Sequence, residues 1–267
     1  IALATDPGYP TYRMGALMAG GDSYALPLLQ ENDWLPDLDA IPGDVLAKAK
    51  LLWLNYPNNP TGAAAPLSFL KQAVDFAAAH DILICYDNPY CDVTFDGYEA
   101  PSILQVPGAK DVSIEFNSLS KTYNMAGWRV GMAVGNADAI EALTTIKTNI
   151  DSGIFRPIQD AATAALTGDQ SWLAERNLIY QRRRDVVLSW LPALGMSAQV
   201  PKGALYVWAK APEGVDCEAF ALEVLEQAGV WLTPGTAFGE HGAGYFRISI
   251  CINEDHLCEA GERLLRL

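Results

Sequence analysis

Between residues 51 and 86 the sequence spells out a strand, a helix and a strand. Leu51-Leu52-Trp53-Leu54 is a short apolar run that ends in a turn, Pro57-Asn58-Asn59-Pro60-Thr61-Gly62. Leu70, Ala73, Val74 and Ala77 then recur at helical spacing up to His80, and Ile82-Leu83-Ile84-Cys85-Tyr86 is a second apolar run of strand length. Strand, crossover helix and strand make a βαβ unit, whose strands run parallel and whose carboxyl-terminal loops share one edge of the sheet. The unit places the chain in the α/β class and puts any ligand in the crevice outside those strand ends.

Further runs extend the pattern. Ile1-Ala2-Leu3-Ala4-Thr5 reads as an interior strand entering the turn Asp6-Pro7-Gly8-Tyr9-Pro10, and Val112–Phe116 and Val130–Val134 add two more strands. From about Ile158 to Leu191 the texture is one long helical stretch, in which Gln181-Arg182-Arg183-Arg184-Asp185 reads as a solvated face. Beyond it, Ala204–Trp208, a helix near 217 to 228 and Phe246–Ile250 suggest a smaller α+β unit. The expected architecture is therefore a three-layer α/β sandwich with a mostly parallel sheet over residues 1–170. A connecting helix and a smaller α+β carboxyl-terminal domain follow over 171–267.

Composition narrows the function. Half of the 267 residues are hydrophobic, enough for a substantial core. The 18 basic residues against 32 acidic ones give a net charge of −14, which argues against nucleic acid or an anionic membrane as partner and leaves a small molecule. Cys85, Cys91, Cys217, Cys251 and Cys258 form no C-x-x-C pair, so neither a disulfide framework nor a zinc site is indicated and the cytosol is the expected compartment. His80, His241 and His256 lie too far apart for a metal motif. No apolar run approaches the roughly 20 residues of a membrane span. A chain that opens without methionine, directly on an interior strand, is expected to be truncated at its amino end.

The chemistry-bearing residues follow the strands. Asn59 comes after the first strand of the βαβ unit; Asp87 and Tyr90, in Tyr86-Asp87-Asn88-Pro89-Tyr90, come after the second; Ser118, Ser120 and Lys121 come after the third, with Arg129 eight residues later. Alone, each has an ordinary reading: a turn asparagine, a helix-capping aspartate, a solvated lysine. Gathered on one sheet edge, they are an acid, a phenol, an amide, a lysine, hydroxyls and an arginine facing one crevice. A phosphorylated pyridine aldehyde would use every member, and pyridoxal 5′-phosphate is such a cofactor.

These motifs carry a resemblance. PNNPTG, YDNPY and SLSKTYNMAGWRVG, in this order and with a late arginine in YFRIS, resemble the class I/II aminotransferases of the fold-type I pyridoxal-phosphate family across essentially the whole chain. The resemblance implies that Lys121 binds the cofactor's aldehyde and Asp87 its ring nitrogen, and that Asn59 and Tyr90 bond its phenolic oxygen. It also implies that Ser118 and Arg129, supported by Ser120, hold the phosphate, that Tyr9 lies against the ring's face, and that Arg247 clamps the substrate's α-carboxylate. Amino acids and 2-oxo acids are then the substrates, and a homodimer is implied. NSLSKTYNMAGWRVGMAVGN, with YDNPYCDVTFDGY upstream, is most similar to the branch acting on LL-diaminopimelate, although alanine and aspartate enzymes share much of the wording. The small-residue loop opening a helix, which the family places ahead of this part, is not among these residues.

Two rival classes fit less well. A pyridoxal-phosphate-sensing regulator would need a basic DNA-binding module, and no basic module occurs. A dinucleotide oxidoreductase would need G-x-G-x-x-G after a strand, and Gly239-Glu240-His241-Gly242-Ala243-Gly244 lacks that spacing.

Overall fold

The computed structural model of the chain describes residues 1–267. Six strands form the larger sheet: β1 (Ala2–Asp6), β2 (Ser23–Pro27), β3 (Leu51–Asn55), β4 (Leu83–Asp87), β5 (Ser113–Ser118) and β6 (Gly131–Gly135). Their spatial order is β2-β1-β3-β4-β5-β6, and every pair is parallel except β5 with β6. The antiparallel turn-back matters, because it puts Arg129, just ahead of β6, at the same sheet edge as Ser118 at the end of β5.

Helices follow the strands in the order expected of βαβ crossovers: α1 (Thr11–Met18), α2 (Gly43–Leu46), α3 (Leu67–His80), α4 (Ala109–Val112), α5 (Leu119–Thr122) and α6 (Ala137–Ile150). In α3 the buried residues are Phe69, Leu70, Ala73, Val74 and Ala77, the i, i+1, i+4, i+5 and i+8 stripe of a helix lying on a sheet. They pack against Leu52, Leu54, Ile84 and Tyr86 from β3 and β4, which makes the first core. Pro66 precedes α3 in an extended conformation, and Asp81 ends it in the left-handed region at φ 54°.

The expected single helix over 158–191 is two helices, α7 (Arg156–Thr167) and α8 (Trp172–Trp190). Gly168 sits at the break, where a Cβ would lie 2.8 Å from the Ala164 carbonyl, and Asp169 accepts the Ser171 N–H (2.9 Å) in the turn ahead of the next helix. The arginine run on α8 also departs from a solvated face. Arg182 is exposed, but Arg184 is only 3 % exposed and reaches Asp96 (2.5 Å), Asp185 (2.8 Å) and the Pro201 carbonyl (3.0 Å). Position in the helix decides this: Val187 and Trp190, three and six residues on, face the same core.

The smaller sheet is antiparallel, with strands β7 (Ser197–Ala198), β8 (Tyr206–Lys210), β9 (Thr233–Pro234) and β10 (Tyr245–Ser249) in the order β7-β8-β10-β9. Helices α9 (Cys217–Ala228) and α10 (Glu254–Leu264) cover it with α8. The second core takes in Tyr90, Val93 and Phe95 from the stretch after β4. That stretch is laced to the smaller sheet by the Phe95 N–H to Lys202 and the Ala204 N–H to Val93 (2.9 and 3.0 Å). The segment carrying Asp87 and Tyr90 thus begins in one core and ends in the other.

Candidate active site

The end of β3 is fixed by Asn55, which is buried. Its amide donates to the Asp87 carbonyl (2.7 Å) and its oxygen accepts the Asn59 N–H (2.8 Å), so one side chain ties the loops after β3 and β4 together. Asn58 organises the PNNPTG turn from within by accepting from both the N–H and the hydroxyl of Thr61 (3.1 and 2.8 Å). With the turn held by its neighbours, the buried Asn59 side chain is free to face outward, where its oxygen accepts from Arg247 Nη1 at 3.0 Å.

Asp87 closes β4. Burial pushes its carboxyl above the usual range, and a hydrogen bond from the Tyr12 hydroxyl (2.5 Å) works against that rise. No lysine, arginine or histidine of the chain bonds this carboxylate. Tyr12 itself is buried, with its ring stacked on Trp53 at 4.7 Å and 8°. Tyr90, three residues past Asp87, shares a hydrogen bond with Tyr206 (3.1 Å). Its phenol is pushed up by burial, then by Tyr206 and Asp87, and down by Arg247, so it lies within the field of both charged groups. Lys121 Nζ stands 6.0 Å from the Tyr90 ring centroid.

Arg247 projects from β10 between two rings, with its guanidinium carbon 4.3 Å from the Tyr206 centroid and 4.5 Å from that of Phe238. It has no carboxylate partner, and its Nε is buried without any hydrogen bond. The structure therefore connects these groups through near neighbours: Arg247 bonds Asn59, Lys121 stands by the Tyr90 ring, and Asp87 and Arg247 both act on the Tyr90 phenol.

The remaining predicted residues are placed less closely. Ser118 caps the short helix α5 by accepting the Ser120 N–H (3.1 Å), with Lys121 next in the same turn. The backbone of Arg129 lies beside it, through the Leu119 N–H to Val130 bond (3.3 Å), but the Arg129 guanidinium is exposed and donates to the Ala126 carbonyl (2.8 Å). No hydrogen bond joins Arg129 to Ser118 or Ser120. Tyr9 is 46 % exposed, with its ring 5.9 Å from that of Tyr12, and it lines a cavity of about 540 Å³ together with Arg13, Phe238 and His241.

Sequence reasoning missed Tyr12, Tyr206, Phe238 and Arg176. The signal for Tyr12 was its position three residues after Tyr9 at the start of a helix, and that for Tyr206 was a hydroxyl within an otherwise apolar strand. Arg176 on α8 gives no local signal. It is buried and pairs with no carboxylate, donating instead to the carbonyls of Asp92 (2.5 Å), Lys121 (3.4 Å) and Thr122, and so pins the backbone that carries Lys121. Burial lowers its pKa below that of an ordinary guanidinium.

This donor set fits a cationic heteroaromatic ring bearing an aldehyde. Asp87 is a buried carboxylate served by one neutral donor, Arg247 keeps an unpaired N–H, and an amine stands near the phenol between them. Fold and site together define a pyridoxal-phosphate enzyme acting on amino groups. The chain matches the family model for aminotransferase class I and II over residues 1–264, and it belongs to that family of transaminases, for which pyridoxal 5′-phosphate is the cofactor.

Its relatives sharpen the placement. An LL-diaminopimelate aminotransferase of Moorella thermoacetica is 54 % identical over the whole chain, which covers 68 % of that protein. Another, of Dehalococcoides mccartyi, is 51 % identical over 96 % of this chain and 66 % of its own length. Among solved structures, BacF of Bacillus subtilis superposes with a TM-score of 0.96 at 41 % identity, over 99 % of this chain and 71 % of that one. A probable N-succinyldiaminopimelate aminotransferase of Thermus thermophilus gives 0.94 at 37 %, again over 99 % and 71 %. The chain spans about two thirds of the length of these relatives.

Proposed function

We propose that the chain carries the transamination site of an enzyme that moves the amino group of LL-diaminopimelate to 2-oxoglutarate, a step in lysine biosynthesis. The observation that carries the reaction is the Asp87 carboxylate, bonded only by a neutral phenol, with its charge felt at Tyr90, beside which Lys121 stands and on which Arg247, bonded to Asn59, also acts. Relatives of that name are 54 % and 51 % identical, whereas an aspartate aminotransferase of Thermotoga maritima and an alanine aminotransferase of Pyrococcus furiosus are 29 % and 32 % identical.

In this reading, bound pyridoxal 5′-phosphate supplies an aldehyde for the amino group and an electron-accepting ring for the α-carbon's electrons. Asp87 keeps the ring nitrogen protonated by opposite charge, and Tyr12 keeps Asp87 ionised against its burial. Tyr90 and Asn59 bond the phenolic oxygen. Arg247 receives the α-carboxylate of either substrate through its free N–H groups, its plane fixed by the Tyr206 and Phe238 rings. With the carboxylate held, the amine of Lys121 would take the proton from the substrate α-carbon. Ser118, Ser120 and Arg129 hold the phosphate, and Tyr9 covers the ring.

The organisation follows the two cores, with residues 1–170 as the larger cofactor-binding unit and 171–267 as the smaller one. Exposed apolar side chains on the β6, α6 and α7 edge, among them Trp128, Met132, Val134, Ile146, Ile150 and Phe155, support a homodimer. No helix is long and apolar enough to cross a membrane, and the free cysteines suit the cytosol.

A substrate panel tests the assignment. With 2-oxoglutarate as acceptor, LL-diaminopimelate should give the highest kcat/KM, above alanine and aspartate. A higher value for either simple amino acid would replace the substrate while keeping the chemistry.

A further inference from the structure

The Arg247 guanidinium is positioned by rings, and the two rings are supported differently. Tyr206 stands on β8, hydrogen-bonded to β10 along its length, so the sheet sets its place. Phe238 lies outside the sheets, at the end of a short 3-10 turn, Gly235–Phe238, with a second at Glu240–Gly242. Its ring meets Trp208 of β8 edge-on at 6.0 Å, and its backbone is held from the larger sheet, at the end of β1. The two carboxylate oxygens of Asp6 accept the backbone N–H groups of Glu240 (3.2 Å) and His241 (3.1 Å), and His241 Nδ1 lies 3.3 Å from Asp6 Oδ2. The Gly8 N–H donates to the Phe238 carbonyl at 2.8 Å. Between these contacts lies Gly239, at φ 135°, where a Cβ would stand 1.9 Å from Asp6 Oδ1. So close an approach of carboxylate to backbone requires glycine. The Asp6 side chain is 13 % exposed, so water competes little for these bonds.

We infer that Asp6 is a positioning residue for substrate binding: by gripping residues 239–241 it holds the Phe238 ring against Arg247 and keeps the guanidinium aimed at the α-carboxylate. The inference rests on the reading of Arg247 as the carboxylate clamp. Asp6 acts through a ring and a guanidinium that serve both substrates, so its loss must weaken the amino acid and the 2-oxo acid alike. A residue that selected the distal end of one substrate would affect that substrate alone.

A double-mutant cycle in the holoenzyme tests this, using Asp6→Ala, Arg247→Lys and the pair. Asp6→Ala should raise KM for both substrates about tenfold, with kcat falling less and the visible absorbance of bound cofactor unmoved. In the Arg247→Lys background the same substitution should change KM by less than about twofold, because the clamp it supports is already lost. If Arg247→Lys alone leaves KM unchanged, the clamp reading fails. If Arg247→Lys raises KM but folded Asp6→Ala does not, or if the Asp6 effect persists undiminished in the pair, this inference alone is overturned. Should Asp6→Ala not fold, Asp6→Asn carries the test, since it is isosteric but turns an amide against one of the two N–H groups. A KM for Asp6→Asn within about twofold of wild type would equally overturn the inference.

Discussion

Replacing Tyr12 with phenylalanine removes one oxygen from the site and leaves the ring in place, stacked at 4.7 Å on Trp53. The lost oxygen is the one that donates to Asp87 at 2.5 Å. A hydrogen bond to a charged group contributes ~1.5–3 kcal/mol. At ~1.4 kcal/mol per factor of ten, Tyr12→Phe should weaken the affinity for pyridoxal 5′-phosphate by roughly tenfold to a hundredfold. The pH dependence has a definite sign. Asp87 already titrates above the ordinary 3.8 because it is buried, so its contribution to stability is fully present below that value and is lost as pH rises through the folded pKa. Tyr12 is the group that opposes this burial, so without it the cofactor-free variant should be less stable than wild type at neutral pH while differing little at pH 3. The assay is an equilibrium titration of cofactor followed by visible absorbance, on Tyr12→Phe, Asp87→Asn and the pair. An affinity for Tyr12→Phe within twofold of wild type would refute the reasoning, as would a Tyr12 effect of undiminished size in the Asp87→Asn background.

Lys121→Ala should abolish both transamination and the visible absorbance of lysine-bound cofactor; retained absorbance at the wild-type wavelength would move the amine elsewhere. Arg184→Met removes a buried guanidinium and leaves the Pro201 carbonyl without that donor, while the half-exposed Asp96 and Asp185 return to water, so chemical denaturation should show a loss of ~1–3 kcal/mol. The same variant should flatten the acid limb of stability. Asp96 is held below 3.8 by its bond from Arg184, a contribution present above that pH and lost as pH falls through the folded value. Gly261→Ala sets two effects against each other: helix propensity gains ~1 kcal/mol, but the new Cβ would stand 2.5 Å from Trp190 Cδ1, between α10 and α8. Overpacking of a core contact costs ~1–3 kcal/mol, so thermal unfolding should come at a lower temperature.

The legible strands are short apolar runs bounded by turns, most of them buried, although β6 was legible without a buried residue. β1, β3, β4 and β5 appear as apolar runs bounded by turns, and each lies within two residues of its expected place. The edge strand β2, Ser23–Pro27, has one buried residue and gives no such run, and α6 has none, so its apolar positions do not stand out from its surface. The limits of the arginine run have the same origin. Arg182 and Arg184 are alike in sequence, and only the packing of α8 sends one to water and the other into a buried bond with Asp96. In the site, residues on loops after strands were legible because chain order alone assigns them to one edge. Tyr12, Tyr206 and Phe238 act through rings that any core could use, and Arg176 reaches Lys121 across 55 residues of sequence. Their roles exist only once the chain is folded.

The partners chosen inside the site explain how it stays receptive. Asp87 and Arg247 both act on Tyr90 and have opposite charge, yet no bond joins them. Asp87 takes its hydrogen bond from a phenol and Arg247 gives its own to an amide. A direct ion pair would have satisfied both groups and left nothing to attract a cationic ring or an α-carboxylate. Neutral partners do something different, since they hold each side chain in place without cancelling its charge. The unpaired Nε of Arg247 and the burial that raises the Asp87 carboxyl above its ordinary range are the traces of that arrangement. Both represent stability forgone in the empty protein, to be recovered when ligands of complementary charge bind.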